Sequence, residues 1–153
     1  MAGGGKGKGM EGMAALERQL DKLELLASGT KDKILRAGVR AGGNVFAKEM
    51  RRSAPKGDVA HKTYKGRLVS PGFAARNVKV TTPRKARSKH HATALIGVRS
   101  EAFYVLQFVE LGTSKFPAEP WAVPAYERAK HKAIEAYKDR VIKRILKITR
   151  SGK

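Results

Sequence analysis

The residue types that carry chemistry are few in this chain and scattered along it. There is no cysteine, which removes thiol nucleophiles, disulfides and thiolate metal sites. The pair His90-His91 could supply half a metal site. On an extended segment, however, neighbouring side chains point to opposite faces, and no acid lies close by in sequence. The pair therefore reads as solvated loop histidines, and His61 and His131, each isolated, read the same way. Ser53, Ser70, Ser88 and Ser114 lack the elbow pattern that presents a nucleophilic serine. The opening GGGKGKG has the residue types of a phosphate loop but not the G-x-x-x-x-G-K-[ST] spacing, and no strand precedes it. Glu110 is an acid set inside the apolar run Phe103–Leu111. General acid–base catalysis needs a partner group at a cleft, and the sequence suggests none. Two structural readings of Glu110 remain: a contact to a neighbouring subunit or to backbone that fixes the Gly112-Thr113 turn, or an ion pair with one of the nearby basic residues. No catalytic, cofactor or metal constellation emerges.

The elements that would position these residues can be read from periodicity. Met1–Gly9 is Gly/Lys-rich and is expected to form, within residues 1–12, a flexible basic arm. Met13–Ser28 reads as a helix with Leu16, Leu20, Leu23 and Ala27 on one stripe. Gly29 would close it, and Thr30 would cap a second helix over 31–52. Ile34, Leu35, Val39, Val45, Phe46 and Met50 give that helix an apolar side. Gly38, Gly42 and Gly43 would weaken it in isolation, and allow either close helix approach or a bend. Residues 56–73 read as loop. Residues 77–82, with Val78 and Val80 on one face, and 92–98 read as two strands pairing antiparallel across a basic hairpin that carries Arg84, Lys85, Arg87 and Lys89. Phe103–Leu111 is too continuously apolar for periodicity to separate strand from helix. Pro117, Pro120 and Pro124 impose a stiff extended path, with Trp121 as an anchor suited to a contact surface or a core lid. A final helix is expected from about 124 to 149, with Ala129, Ala133, Ala136, Val141 and Ile145 inward and a basic tail over 150–153. The order implies an α+β class, a small antiparallel sheet packed by N-terminal helices and a long C-terminal helix, in one domain over 13–149.

Charge sets a second constraint. Lys and Arg number 33 against 13 Asp and Glu, a formal net charge of +20 over 153 residues. Such a chain meets polyanions or acidic proteins, or lies in an assembly that balances it. Only 7% of residues are aromatic, and the basic runs are not interleaved with stacking aromatics, so any nucleic-acid contact would be independent of sequence. Lys6, Lys8, Arg84, Lys85, Arg87 and Lys89 are the candidates for contacts to phosphate or to an acidic partner. No apolar run approaches a membrane span, and the basic start has no apolar core of a secretory signal.

The stretch FVELGTSKFPAEPWAVPAYE resembles the signature of a phage tail-component family named for a tail protein of phage HK97. The family pattern is an aromatic run, then "vEfGT", then a Pro-aromatic-x-x-Pro-Ala segment leading into a helix. Glu110, Gly112 and Thr113 match the first part; Pro120, Trp121, Pro124 and Ala125 match the second, with Trp where Phe is common. Ala118-Glu119 departs from the usual Ala-Arg, and Gly66-Arg67-Leu68 resembles a Gly-x-Leu that often precedes the family's first strand. The resemblance implies a non-enzymatic structural protein of the virion, in the neck or tail, assembled in the host bacterial cytoplasm. It implies copies of itself in a ring, a hexamer or dodecamer, between a head-closure or connector protein and the tail terminator or tail tube, around a channel for non-specifically contacted double-stranded DNA. Glu110, Gly112, Thr113, Pro120, Trp121 and Pro124 become candidate subunit or partner contacts, and Trp121→Ala is expected to block incorporation while the monomer stays folded. No cofactor and no membrane association are expected. The alternative is a basic, sequence-independent nucleic-acid-binding protein, for instance one associated with ribosomes.

Overall fold

The computed structural model describes residues 28–83 and 92–151. Within them the chain runs helix α1 (Ser28–Ser53), strands β1 (His61–Lys62) and β2 (Leu68–Val69), a helical turn α2 (Phe73–Arg76), strands β3 (Val78–Thr81) and β4 (Leu95–Val98), helix α3 (Ser100–Leu111) and helix α4 (Ala122–Ser151). This is an α+β arrangement, mostly helical, as the order of sequence patterns implies. Most of the expected 13–28 helix, the flexible arm with Lys6 and Lys8, and the hairpin carrying Arg84, Lys85, Arg87, Lys89 and His90-His91 lie outside the described residues.

The two long helices α1 and α4 form the body. They run antiparallel: Ile34 near the start of α1 clusters with Val141 and Ile145, whereas Phe46 near its end stacks on Tyr126 at 5.1 Å, with ring planes 5° apart. The side of α4 turned to α1 is built from small residues over its first half, Ala125, Ala129 and Ala133, and from Val141 and Ile145 further on, all buried. Glycines face them. A Cβ on Gly38 would lie 2.6 Å from Val141 Cγ2 and 2.8 Å from the Tyr137 ring. One on Gly42 would lie 2.9 Å from the carbonyl oxygen of Ala133. Of the two uses the sequence left for these glycines, close approach is the one found. Gly43 faces the opposite way, where a Cβ would stand 3.0 Å from Val80 of β3, so the consecutive glycines let one helix touch both a helix and a strand pair.

β3 and β4 pair antiparallel, with Val78 opposite Val98 and Thr81 opposite Leu95. The alternation read from sequence holds in β3: Val78 is fully buried and Val80 half-buried, while Lys79 and Thr81 are exposed. Arg51 of α1 donates from Nε (3.3 Å) and Nη2 (2.9 Å) to the Val78 carbonyl, tying the helix to this strand.

Three expectations are corrected, and one choice that the sequence left open is resolved. Helix α1 is already continuous at Ser28, so Gly29 and Thr30 lie inside it rather than closing one helix and capping the next; glycine in a helix costs only about 1 kcal/mol, which packing offsets. Residues 56–73 are not all loop. β1 and β2 pair antiparallel, His61 with Val69, around a turn where Gly66 takes φ 78°, and α2 begins at Phe73. The Phe103–Leu111 run is helical throughout, within α3. Finally, α4 begins at Ala122, which makes Pro124 its third residue, and it runs to Ser151.

Replacing glycine by alanine within a helix normally stabilises it. Gly42→Ala should do the reverse, because the Ala133 carbonyl is backbone and cannot rotate away; overpacking of this kind costs about 1–3 kcal/mol. Urea denaturation of Gly42→Ala beside the exposed-site control Lys48→Ala checks the sign.

Candidate functional site: the clamp between α3 and α4

The connector from Leu111 to Trp121 is pinned at each end and in its middle. Gly112 sits at φ 72°, ψ 179°, a region essentially reserved for glycine, and donates its N–H to the Phe108 carbonyl at 2.8 Å. A Cβ there would also meet the Ala118 nitrogen at 2.7 Å, so side-chain volume is excluded twice over. Thr113 Oγ1 accepts from the N–H groups of Lys115 (3.2 Å) and Phe116 (3.1 Å), and the Thr113 N–H donates to the Phe116 carbonyl at 2.9 Å. The Glu119 N–H returns to the Val109 carbonyl at 2.8 Å. The Gly-Thr pair thus turns the chain back along the helix it has just left.

Glu110 uses that return. Its Oε2 accepts the N–H groups of Trp121 (2.7 Å) and Ala122 (2.9 Å), and its Oε1 accepts that of Val123 (3.3 Å). A helix N-terminus leaves about four backbone donors without intrahelical partners. Here Glu110 takes three, and the fourth position is Pro124, which has no N–H. From Ala125 onward the helix supplies its own acceptors, beginning with the Trp121 carbonyl at 3.4 Å. One carboxylate and one proline therefore settle the whole N-terminus of α4, and the negative charge lies at the positive end of the helix dipole. Of the readings open to Glu110, backbone capping is the one found, and what it fixes is the final helix. Burial raises the Glu110 pKa, but the three amide donors of Ala122, Trp121 and Val123 together outweigh it, and the carboxyl is held below its ordinary range.

Trp121 is placed by the same contacts. The residue is 8% exposed, and it packs in a cluster with Ala54 and Leu106, bordered by Met50, Ala74, Val98 and Val109. Its indole N–H points to the Leu106 carbonyl at 3.5 Å. The ring is the lid of the core where α1, α2, β4 and α3 meet. That burial corrects the expectation that Trp121→Ala leaves the monomer intact, since emptying such a site costs about 3–5 kcal/mol. Pro120 is exposed and Pro124 half-buried.

Other contacts carry no signal in the local sequence. Arg128 Nε donates to Glu49 Oε1 at 2.8 Å and its Nη2 to the Ser53 hydroxyl, joining α4 to the end of α1. That hydrogen bond first, and the positive charge of Arg128 with it, hold the Glu49 carboxyl below its usual range. Ser70 Oγ accepts from Arg76 Nη2 at 2.7 Å. His61 and His131 are exposed. Among the described residues no three His, Asp or Glu are grouped as a metal site, and no helix is long and apolar enough to cross a membrane.

The clamp sets an acid-side stability limit. A carboxyl with a lowered folded-state pKa contributes stability above the unfolded value, about 4.3, and loses it as pH falls through the folded value. Glu110→Gln should cost about 1–2 kcal/mol at neutral pH, the usual range for a lost N-terminal cap. It should also flatten the loss of stability below pH 4, read as urea midpoints across pH. Gly112→Ala should destabilise at every pH, because its strain is steric.

The family model described as "Bacteriophage HK97-gp10, putative tail-component" matches residues 14–112, about two thirds of the chain. The match takes in α1, both strand pairs, α3, Glu110 and Gly112. Thr113 and the segment from Pro117 to Ala125 lie beyond it. No curated protein and no solved structure matches the chain. On the family match, this chain is a member of the HK97 gp10-like family of phage tail components.

Proposed function

We propose that this tail-component protein works as a ring-forming neck or tail-completion element, joining head-closure proteins to the tail tube and leaving a channel for DNA. The observation that carries the reading is α3. Its residues from Phe103 to Leu111 are apolar on every side but for Gln107 and Glu110, the pattern of a helix meant to be covered all round. The single chain covers only one side of it: Ala102 and Leu106 are buried, whereas Tyr104, Phe108 and Leu111 stand 54%, 44% and 69% exposed. The clamp holds this helix and the connector rigid against the body, as a ring closed by heterologous contacts requires. Glu110, Gly112, Thr113, Trp121 and Pro124 shape the segment from within, and Pro120 with the exposed Phe116 forms its outward side.

Charge bears on where such a ring turns its faces. Six copies would carry about 120 formal positive charges, from +20 each. Duplex DNA presents one phosphate per ~1.7 Å, about 30 along a channel ~50 Å long. Threaded DNA cannot balance that excess, so much of the basic surface faces acidic neighbouring proteins. The rival is a basic protein that binds nucleic acid as a monomer, favoured by the same net charge. It requires tight, steeply salt-dependent binding by the isolated chain.

Particles made without this chain should accumulate as DNA-filled heads and separate tails. Particles made with it should show the chain as a ring at the head–tail junction by electron microscopy. Normal virions from the deletion, or tight salt-dependent binding of duplex DNA by the purified monomer, would contradict the proposal.

A further inference from the structure

Helix α4 carries a second apolar row beside the seam it shares with α1. Ile134, Ile142 and Leu146 are exposed, and the half-buried Lys138 completes their four-residue spacing. Ile142 and Leu146 each follow a seam residue by one position, Val141 and Ile145. On α1, Leu35 and Val39 follow the buried Ile34 and Gly38 in the same way, and both are half-buried. In two antiparallel helices, equal offsets from the shared seam turn to the same side. Gly43, one position after Gly42, marks that side, because a Cβ on it would meet Val80 of β3. Leu35, Val39, Ile142 and Leu146 therefore form one apolar patch on the strand side of the body, at the end where α1 begins and α4 finishes. Among the described elements α1 alone packs along α4 at length, and Ile142 and Leu146 stay open to solvent.

The chain that precedes α1 arrives at this patch. Ser28 opens α1 about 9 Å of helix axis before Ile34, which clusters with Val141, Ile145 and Ile148. We infer that residues 13–27 fold back over the patch as a short helix, laying Leu16, Leu20 and Leu23 on Leu35, Ile142 and Leu146. The lengths agree: Leu16 to Leu23 span about 10 Å of helix axis, and the Ile142–Leu146 and Leu35–Val39 pairs about 6 Å each. Residues 25–27 match the roughly two to five that join antiparallel helices. The other segments outside the described residues lack the apolar side chains for this role, since 84–91 holds Ala86 alone and 1–12 is Gly/Lys-rich. The family match also begins at residue 14, ahead of α1, so the segment belongs to the shared domain. Charge does not select the occupant. Glu17, Asp21 and Glu24 stand with Arg18 and Lys22 in the segment, and the patch rim mixes Lys138, Asp139 and Lys143. The tether selects it, because a short link holds the segment at an effective concentration of about millimolar, ahead of a free copy. The contact lies within one chain and does not rest on the ring. It sets where the basic arm with Lys6 and Lys8 leaves the protein: from the strand side of the body rather than beyond its end.

The chain has no cysteine, so introduced pairs report without background. In the full chain, oxidised Leu20→Cys/Leu146→Cys should close a disulfide within one molecule, read by non-reducing mass spectrometry. Leu20→Cys/Val123→Cys should not, since Val123 is exposed at the far end of α4. Hydrogen exchange gives a second readout on the unmodified protein. An isolated helix this short is marginal in water, so protection of its amides reports docking. The amides of residues 15–24 should exchange about tenfold or more slowly in the wild type than in Ile142→Ser/Leu146→Ser, while α1 stays protected. Both substituted positions are exposed, and circular dichroism checks the fold. Should that variant fail to fold, Leu20→Ser replaces it and should release the same amides. Exchange of residues 15–24 at unprotected rates in the wild type would overturn the inference, and so would protection unchanged by the variant. Closure with Val123 as readily as with Leu146 would do the same. Disulfides that form only between molecules would also overturn it, and would assign the patch to the segment of a second copy.

Discussion

The structure depends on one ionic hydrogen-bonding arrangement, the Glu110 carboxylate held against the first three amide donors of α4. A 30-residue helix that begins in solvent would fray at its start, and this one begins where the chain has just left another helix. The carboxylate turns that junction into a fixed angle. Because the acid sits in the last turn of α3 and its donors open α4, neither helix can rotate without breaking charge-assisted hydrogen bonds in a partly desolvated site. Gly112 makes the geometry reachable, Thr113 holds the turn, and Trp121, delivered by the same return of the chain, closes the core under α1 and β4.

The second constraint is the narrow spacing between α1 and α4. Glycines on α1, Gly38 against Val141 and the Tyr137 ring and Gly42 against the Ala133 backbone, bring the two helices close and leave little room for side-chain rearrangement. Such packing gives less apolar burial per residue than a leucine seam. It is offset by the stacked Phe46 and Tyr126 rings and by Arg128 bridging to Glu49 and Ser53. The charge is then carried outward on a stiff two-helix body, and α3 is offered at one end of it. A tail component must hold its shape while its neighbours assemble, and the sequence places its stiffness and its exposed apolar surface next to each other.

Much of this was legible in the sequence, and the failures have physical reasons. The long helices and the β3–β4 pair were readable because 3.6- and 2-residue periods leave a strong imprint on amphipathic segments; Val78 and Val80 against Lys79 and Thr81 are an example. The state of Phe103–Leu111 was not readable, since a helix apolar nearly all round has lost its period. β1 and β2 leave no imprint because two-residue strands are too short to alternate. The special character of Glu110 was legible from its apolar setting, but not its target. The position of Pro124, 14 residues on, gives the clue only once the helix is known to start at Ala122. Trp121 was legible as an anchor, and only the fold shows that it anchors its own chain. The Arg51–Val78 and Arg128–Glu49 contacts join residues 27 and 79 positions apart, beyond the reach of any local pattern.

The clamp also gives the two-part signature a mechanical meaning: an acid, a Gly-Thr turn, a tryptophan and a proline at the third helical position are the parts of one capped junction. The most direct measurement is an NMR pH titration of the Glu110 side-chain carboxyl, followed together with the backbone amides of Trp121, Ala122 and Val123. The account predicts that all four respond with one shared midpoint below the ordinary glutamate range of about 4.3. A Glu110 carboxyl that titrates at the ordinary value, with the three amides unmoved, would contradict it.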